Sequence, residues 1–439
     1  MKTTLSNSLM KLSAIGATLL LCACGDSTSQ TVPLNATSTT LTSGQIVDNY
    51  VAELNYRCAD GMQGITDVNG QFNCTTLPVT FSIGGLKLGE ISTIPADSQV
   101  FPQDLLGLER TDINNTTVMA MAQFLQSCDD DKNPNNGIKI KTEVTTAFED
   151  LNLTFSAEDL DYYATEANLT LIPQDDALNH LHKSVTFVED VDNTNIPTTL
   201  KSALFTPQYT LTQTTKETLS FMGNEERLAH DVYLELYNYH ISHGNGEIQQ
   251  LTNIATKSET THIQTVQALI NKYDLDYTSF TNIDMPELAY KDTNIDDMVM
   301  GRYDIQEIQD LHDMLLAKGE QSVQDALEVG CMVEVTDIED LLRDIQAAKD
   351  SNASDVVSAF EFLRDGSYSH YWSFDSGLKT LGIDTGCCSL GDTYCHPEFP
   401  QDTQGADASS GSCDNENQQT GTASTTAPRD GTGAQKGKR

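Results

Sequence analysis

The stretch Lys257-Ser258-Glu259-Thr260-Thr261-His262 places a carboxylate and an imidazole three residues apart inside a helical pattern. On a helix that spacing puts both side chains on one face, about 5–6 Å apart at Cβ. Leu251, Ala255, Val266 and Leu269 fall on the same stripe, the one a helix buries. A carboxylate and an imidazole in the middle of a buried stripe are costly unless they are paired or hold a metal. What they meet decides the fold.

Three further stripes have the same character. Leu219, Met222, Glu226, Ala229, Tyr233 and Leu236 recur at three- and four-residue steps, as do Val323, Leu327, Gly330, Glu334, Ile338, Leu341 and Ile345. The last runs through Val356, Phe360, Leu363, Ser367, His370 and Phe374. Each carries polar residues near its centre, where apolar ones are expected. Four such lapses converge on one layer of an antiparallel four-helix bundle, assigned to residues 208–385. The insert from Asp274 to Asp304 reads as loop, and Asp304 to Lys318 as a short extra helix.

Di-metal carboxylate proteins build such a layer from one Glu on each of two helices and Glu-x-x-His on each of the other two. Glu226 and Glu334 fit the single positions, and Glu259 with His262 forms one complete Glu-x-x-His. The fourth helix departs from the pattern: Ser367 stands where Glu is expected, three before His370. Asp337, one turn after Glu334, is the candidate to supply the missing carboxylate. Glu225 competes with Glu226 for the inward position, since Phe221, Leu228 and Val232 flank it on the apolar arc. Two readings stay open. The layer binds one or two transition-metal ions, iron or manganese, with oxidoreductase or ferroxidase-type activity as an extension. Alternatively it is a metal-free hydrogen-bonded core of a surface binding or structural protein.

Glu226-x-x-Ala229-x-x-x-Tyr233 resembles the first-helix signature of ferritins and rubrerythrins, and this favours Glu226 over Glu225 as ligand. In those families the Tyr lies near the metals. Residues 217–376 resemble a ferritin-like family of unknown function found in bacteria and archaea. The matching pieces are Glu225-Glu226-Arg227-Leu228-Ala229-His230-Asp231-Val232-Tyr233, Asn253-Ile254-Ala255 with Glu259-Thr260-Thr261-His262, Asp325 to Gly330 with Glu334 and Asp337-Ile338-Glu339-Asp340-Leu341, and Gly366-Ser367 with His370. The resemblance implies a ferritin-like bundle and brings no reaction. It also implies that Ser-x-x-His in the fourth helix belongs to the family.

The chain opens with Lys2 and Lys11, an apolar run from Leu12 to Leu21, and Leu21-Cys22-Ala23-Cys24-Gly25. The charged start and short apolar core read as a secretory signal over residues 1–23. The residues before Gly25 resemble a bacterial lipobox, which implies lipid on Cys24. Gly25 after the cysteine favours, by that resemblance, the outer membrane of a Gram-negative cell envelope. Residues 24–44 read as a Ser- and Thr-rich tether. Cleavage and lipidation leave eight cysteines, an even count that suggests disulfides in an exported chain. Cys58 and Cys74 would close a hairpin-like loop; pairing among Cys387, Cys388, Cys395 and Cys413 is not assignable.

Residues 45–207 alternate Val, Ile and Phe between Gly and Asn-Gly punctuation, as hairpins do. A helical segment, Thr117 to Ser127, follows. The expected class is α+β: a β-rich module with helices, then the bundle. The pieces "FSIGG…LG" and "FLQS…DDD…NP…NGI" resemble an amino-terminal module of secreted and lipid-anchored Gram-negative proteins, with no function to carry over. Asp129, Asp131 and Asn133 alternate as in calcium loops, but Ile140 stands where the bidentate Glu belongs. A calcium site and a capped polar loop are both open there. Residues 386–439 read as a cysteine-containing segment and a disordered tail. The net charge of −39, from 25 basic and 64 acidic residues, argues against a nucleic-acid partner.

Overall fold

The computed structural model describes residues 41–275 and 297–401. Residues 1–40, with the expected signal segment and Cys24, the stretch 276–296 and everything after residue 401, Cys413 included, lie outside the described residues.

The amino-terminal part is β-rich. Its strands are β1 (Thr42–Ile46), β2 (Val51–Ala52), β3 (Asn55–Cys58), β4 (Gln63–Ile65), β5 (Gln71–Cys74), β6 (Val79–Ile83), β7 (Leu86–Ile91), β8 (Gln99–Val100), β9 (Ile138–Lys139) and β10 (Leu153–Thr154). β1 therefore begins inside the segment expected as tether. The sheets run β10-β7-β6-β3-β4, β5-β1-β8 and β2-β9. The Val-Thr-Phe-Ser-Ile alternation of β6 buries its odd positions, as a half-buried strand must. Phe81 meets the edge of Phe72 with ring centroids 4.9 Å apart. Gly85 lets the chain approach closely at the hairpin turn: a Cβ there would fall 1.7 Å from the Leu151 carbonyl oxygen. A disulfide, Cys58–Cys74, ties β3 to β5 as the spacing suggested.

Helices pack beside these sheets: α1 (Pro102–Leu105), α2 (Thr116–Ser127), α3 (Thr142–Phe148), α4 (Leu160–Glu166), α5 (Gln174–Asp192) and α6 (Thr198–Leu204). The Asn115 side chain caps α2 by accepting from the amides of Thr117 and Val118.

The carboxy-terminal part is helical. α7 (Gln213–Ser242) is capped by Thr212. A second rod runs through α8 (Gln249–Asn253), a π-helical segment (Ile254–Glu259) and α9 (Thr260–Lys272). α10 (Gln306–Gly319) matches the expected extra helix. α11 (Val323–Asp350) and α12 (Ser354–Thr380) form a tight hairpin. Glu334 and His370 lie equally far from the connection at 351–353, so the hairpin brings them level. Gly330 and Phe374 are likewise matched. A Cβ on Gly330 would lie 2.4 Å from the Phe374 ring, so the two helices close on each other there because residue 330 has no side chain.

One apolar cluster crosses from the β-rich part into the helical part. It contains Val47, Tyr50, Phe101 and Leu200 together with Leu219, Val266, Leu341 and Phe360. At the same junction Lys272 donates from Nζ to Asp355 Oδ2 at 2.6 Å and to the Leu204 carbonyl at 3.0 Å. The Tyr273 hydroxyl also donates to Asp355 Oδ2, at 2.7 Å. Lys272 and Asp355 are both buried.

Candidate metal centre

The central polar residues of the four stripes meet. Glu226 on α7, Glu259 and His262 on the second rod, Glu334 on α11 and His370 on α12 are each at most 2% exposed. His262 Nδ1 sits 3.1 Å from Glu226 Oε2 and 3.2 Å from Glu259 Oε2. His370 Nδ1 sits 3.2 Å from Glu259 Oε1 and 3.3 Å from Glu334 Oε2. Two triads result, Glu226–Glu259–His262 and Glu259–Glu334–His370, each with its ligand atoms within 4.8 Å of one another. Glu259 belongs to both and turns one oxygen to each. The imidazole rings are 5.4 Å apart between centroids, gathered rather than splayed.

These distances fit a shared cation. Two ligand atoms each about 2.0–2.2 Å from one ion and roughly at right angles lie about 3 Å apart. Both imidazoles present Nδ1 to a pair of carboxylates, and such an edge holds either a proton or a metal. Oε1 of Glu226 is buried with no hydrogen-bond partner, so one donor atom of the set is still unused. Three carboxylates in the triads and a fourth, Asp337, beside them would balance two divalent cations.

The electrostatics are those of buried carboxylates balanced by protons and imidazoles. Burial pushes the Glu226 carboxyl up to about 7, although His262 beside it opposes the rise. Burial raises Glu334 as well, against the pull of His370. Burial alone would raise Glu259 too, yet the flanking imidazoles of His370 and His262 hold it below the usual range. Burial works against a charged His262, but Glu226 and Glu259 raise it well above an ordinary imidazole.

The remaining candidates take supporting places. The Tyr233 hydroxyl donates to Glu334 Oε1 at 2.5 Å, and its burial and that carboxylate raise its pKa well above a free phenol. Ser367 donates to Asp337 Oδ2 at 2.6 Å. Asp337 thus sits beside the layer but in neither triad, and burial with Glu226 nearby raises it well above a free carboxyl. Glu225 turns away from the imidazoles toward Asp340 and Asp337; burial first, then those two carboxylates, raise it strongly.

The π-helical segment supplies a feature that the sequence did not announce. It widens the helix by one residue just before Glu259, and both Ser258 and Glu259 face inward, 4% and 2% exposed. Thr260 Oγ1 donates to the Ala255 carbonyl five residues back, along the widened turn. Ser258 Oγ lies 2.5 Å from His370 Nε2. With Nε2–H donating to that hydroxyl, Nδ1 faces Glu259 and Glu334, carrying a proton in the metal-free layer and free to bind once that proton leaves. Such outer partners fix the tautomer and orientation of a metal-binding His. Ser258→Ala is therefore expected to weaken metal binding about 10–100-fold with the helices intact. Competition with a chelator, read beside far-UV circular dichroism, checks this.

In the loop after α2, every carboxylate oxygen of Asp129 and Asp131 accepts from the loop itself. The amides of Asn133 and Lys139 donate to Asp129, at 2.8 and 3.0 Å. The Asn133 amide and the Asn136 side chain donate to Asp131, at 2.9 and 2.8 Å. Asn133 contributes its backbone there, and its side chain makes none of these bonds.

Two more disulfides surround the far end of the helices. Cys331–Cys387 ties α11, one turn before Glu334, to the segment after α12, and Cys388–Cys395 closes that segment on itself. Cys128 is a buried thiol.

Fold and site together define an α+β protein whose helical part encloses a buried layer of carboxylates and imidazoles. Residues 215–392 match the family described as "Uncharacterized protein domain (DUF2202)", and the chain belongs to it. It is 32% identical over 176 residues to uncharacterized protein MJ0754 of Methanocaldococcus jannaschii, a span of 40% of this chain and 81% of that protein. The crystal structure of hypothetical protein MJ0754 from the same archaeon matches at 31% identity and a TM-score of 0.32, covering 40% of this chain and 86% of that one.

Proposed function

We propose that the helical part is a ferritin-like four-helix bundle that binds two transition-metal ions, iron or manganese, between Glu226, Glu259, His262, Glu334 and His370. The observation that carries this reading is Glu259, whose two oxygens each face a separate imidazole–carboxylate pair. Bound there, such ions would supply electron transfer with small oxidants. The protein's own residues bind and orient: Ser258 holds His370, Tyr233 holds Glu334, and Asp337 stays in reserve beside the layer. Three disulfides among the described residues favour an exported, oxidising setting. With the lipobox at Cys24, the reading is of an envelope lipoprotein of the Gram-negative outer membrane.

The pH dependence of stability tests the proposal. Glu226, Glu334, Asp337 and His262 all titrate above their ordinary values in the metal-free fold. A raised folded-state value stabilises fully below the unfolded pKa and is lost as pH climbs through the folded one. Glu259 has the opposite sign, but its window lies below the usual carboxylate range. Between about pH 5 and 8 the metal-free protein should therefore lose stability as pH rises. Metal binds the deprotonated groups, so the stabilisation by ferrous or manganous ion should grow over the same interval. Thermal melts with and without metal at each pH check this. A gap that stays at zero up to pH 8 would leave the metal-free polar core as the function of the layer.

A further inference from the structure

Beside the layer lies a cavity of about 70 Å³ lined on its acidic side by Glu225, Glu226, Glu259, Glu334 and Asp337. Its walls are different in kind. Leu311, Met314 and Leu315 come from α10, Met332 and Val333 from α11, and Tyr394 from the segment that follows α12. Two of these three sources stand outside the four rods. α10 is the extra helix, and Tyr394 is held in place by the adjoining disulfides and by the Tyr371 hydroxyl, which donates to the Tyr394 carbonyl at 3.1 Å. Met314 is 52% exposed and marks the mouth.

We infer that this cavity is a binding pocket for a small, uncharged, largely apolar organic molecule, a chain of a few carbons held with one end toward the carboxylates. The inference rests on the metal reading only for what happens at that end. Charge decides the class. Among the described residues that line the cavity none is basic and five are carboxylates, and the whole chain carries a net charge of −39, so an anion is repelled. The walls bring methyl, methylene and thioether groups, with Tyr394 and Thr336 as the main uncharged polar groups. A pocket of mostly apolar wall with a few convergent polar groups is the usual form of a small-molecule site. Size sets the limit: about 10–15 Å³ of such space holds one water, so about 70 Å³ holds roughly five to seven, the bulk of a short carbon chain.

Xenon is a suitable apolar probe, because its binding needs neither metal nor turnover. The full chain, in detergent and labelled with ¹³C at its methionine methyls, is titrated with xenon in metal-free form. Saturable shifts are expected at Met332 and Met314 and not at Met121, which lies in the β-rich core. Leu311→Trp, which fills the cavity, should abolish them. Tyr394→Ala, which enlarges it, should admit benzene, which the parent excludes; this variant keeps the test alive if the Trp does not fold. Azide, a small anion, should cause no saturable shift. Absence of saturation in the parent, saturation that survives Leu311→Trp, or an equal response to azide would overturn the inference. So would slowed metal loading as the sole effect of Leu311→Trp, which would make the cavity a cation route. Metal content of the same samples is a separate reading: xenon saturation in a chain that takes up no metal supports the pocket and removes the metal centre.

Discussion

Glu259→Ala should abolish binding of both metal ions, whereas Glu226→Ala and Glu334→Ala should each leave one. The asymmetry follows from geometry. Glu226 faces His262 and Glu334 faces His370, but Glu259 lies within 3.2 Å of both imidazoles. Removing it deletes a ligand from each triad and leaves two ligands at either position. Loss of one charged ligand from a buried site costs several kcal/mol, so an affinity drop of about a thousandfold or more at each position is expected. The loss of Glu226 or Glu334 is confined to one triad. Metal stoichiometry of the three variants, measured at equal free metal, separates these outcomes. Equal losses in all three would mean that Glu259 does not bridge.

The second large effect lies away from the site. Asp355→Ala should destabilise the protein by about 3–5 kcal/mol, the cost of leaving a buried charge without its partner. Lys272 is 8% exposed and Asp355 fully buried, and burial already pulls the lysine's pKa below that of a free amine. Tyr273 would lose its acceptor in the same change. The double change Lys272→Met with Asp355→Ala should recover most of the loss, because no orphaned charge remains. The pair also anchors the end of the β-rich part, through the carbonyl of Leu204 and the Thr206 hydroxyl 3.2 Å from Nζ. Unfolding by denaturant, followed by the single Trp372 and by far-UV circular dichroism, gives the free energies. A loss below about 1 kcal/mol, the range of an exposed ion pair, would show that water reaches Lys272.

The four stripes were legible because burial imposes a period and a polar residue in it stands out. Glu226, Glu259, His262, Glu334 and His370 were all readable in that way. Periodicity alone did not select Glu226, since it puts Glu225 close to the centre of the apolar arc and Glu226 about 100° away. Glu226 turns to His262 and Glu225 toward Asp340, the outcome that the first-helix resemblance favoured. Ser258 was illegible: a regular helix would turn it away from Glu259, and no residue type in Ile254–Glu259 announces the π-helical turn. The Cys331–Cys387 pairing was illegible because it joins α11 to the segment after α12, whose approach only the fold defines. The apolar cluster that joins Val47 and Tyr50 to Leu219 and Phe360 is similar. Each residue carries a local signal of burial, but none of what it will be buried against.

The most direct measurement is anomalous diffraction at the iron and manganese edges from crystals of the chain, purified without chelator and loaded anaerobically with ferrous ion. Two peaks about 3.5–4 Å apart, one beside His262 and one beside His370 with Glu259 between them, are the expected result. A well-ordered layer with no anomalous peak, after loading that leaves the protein folded, would contradict the metal centre and make the polar layer a hydrogen-bonded core.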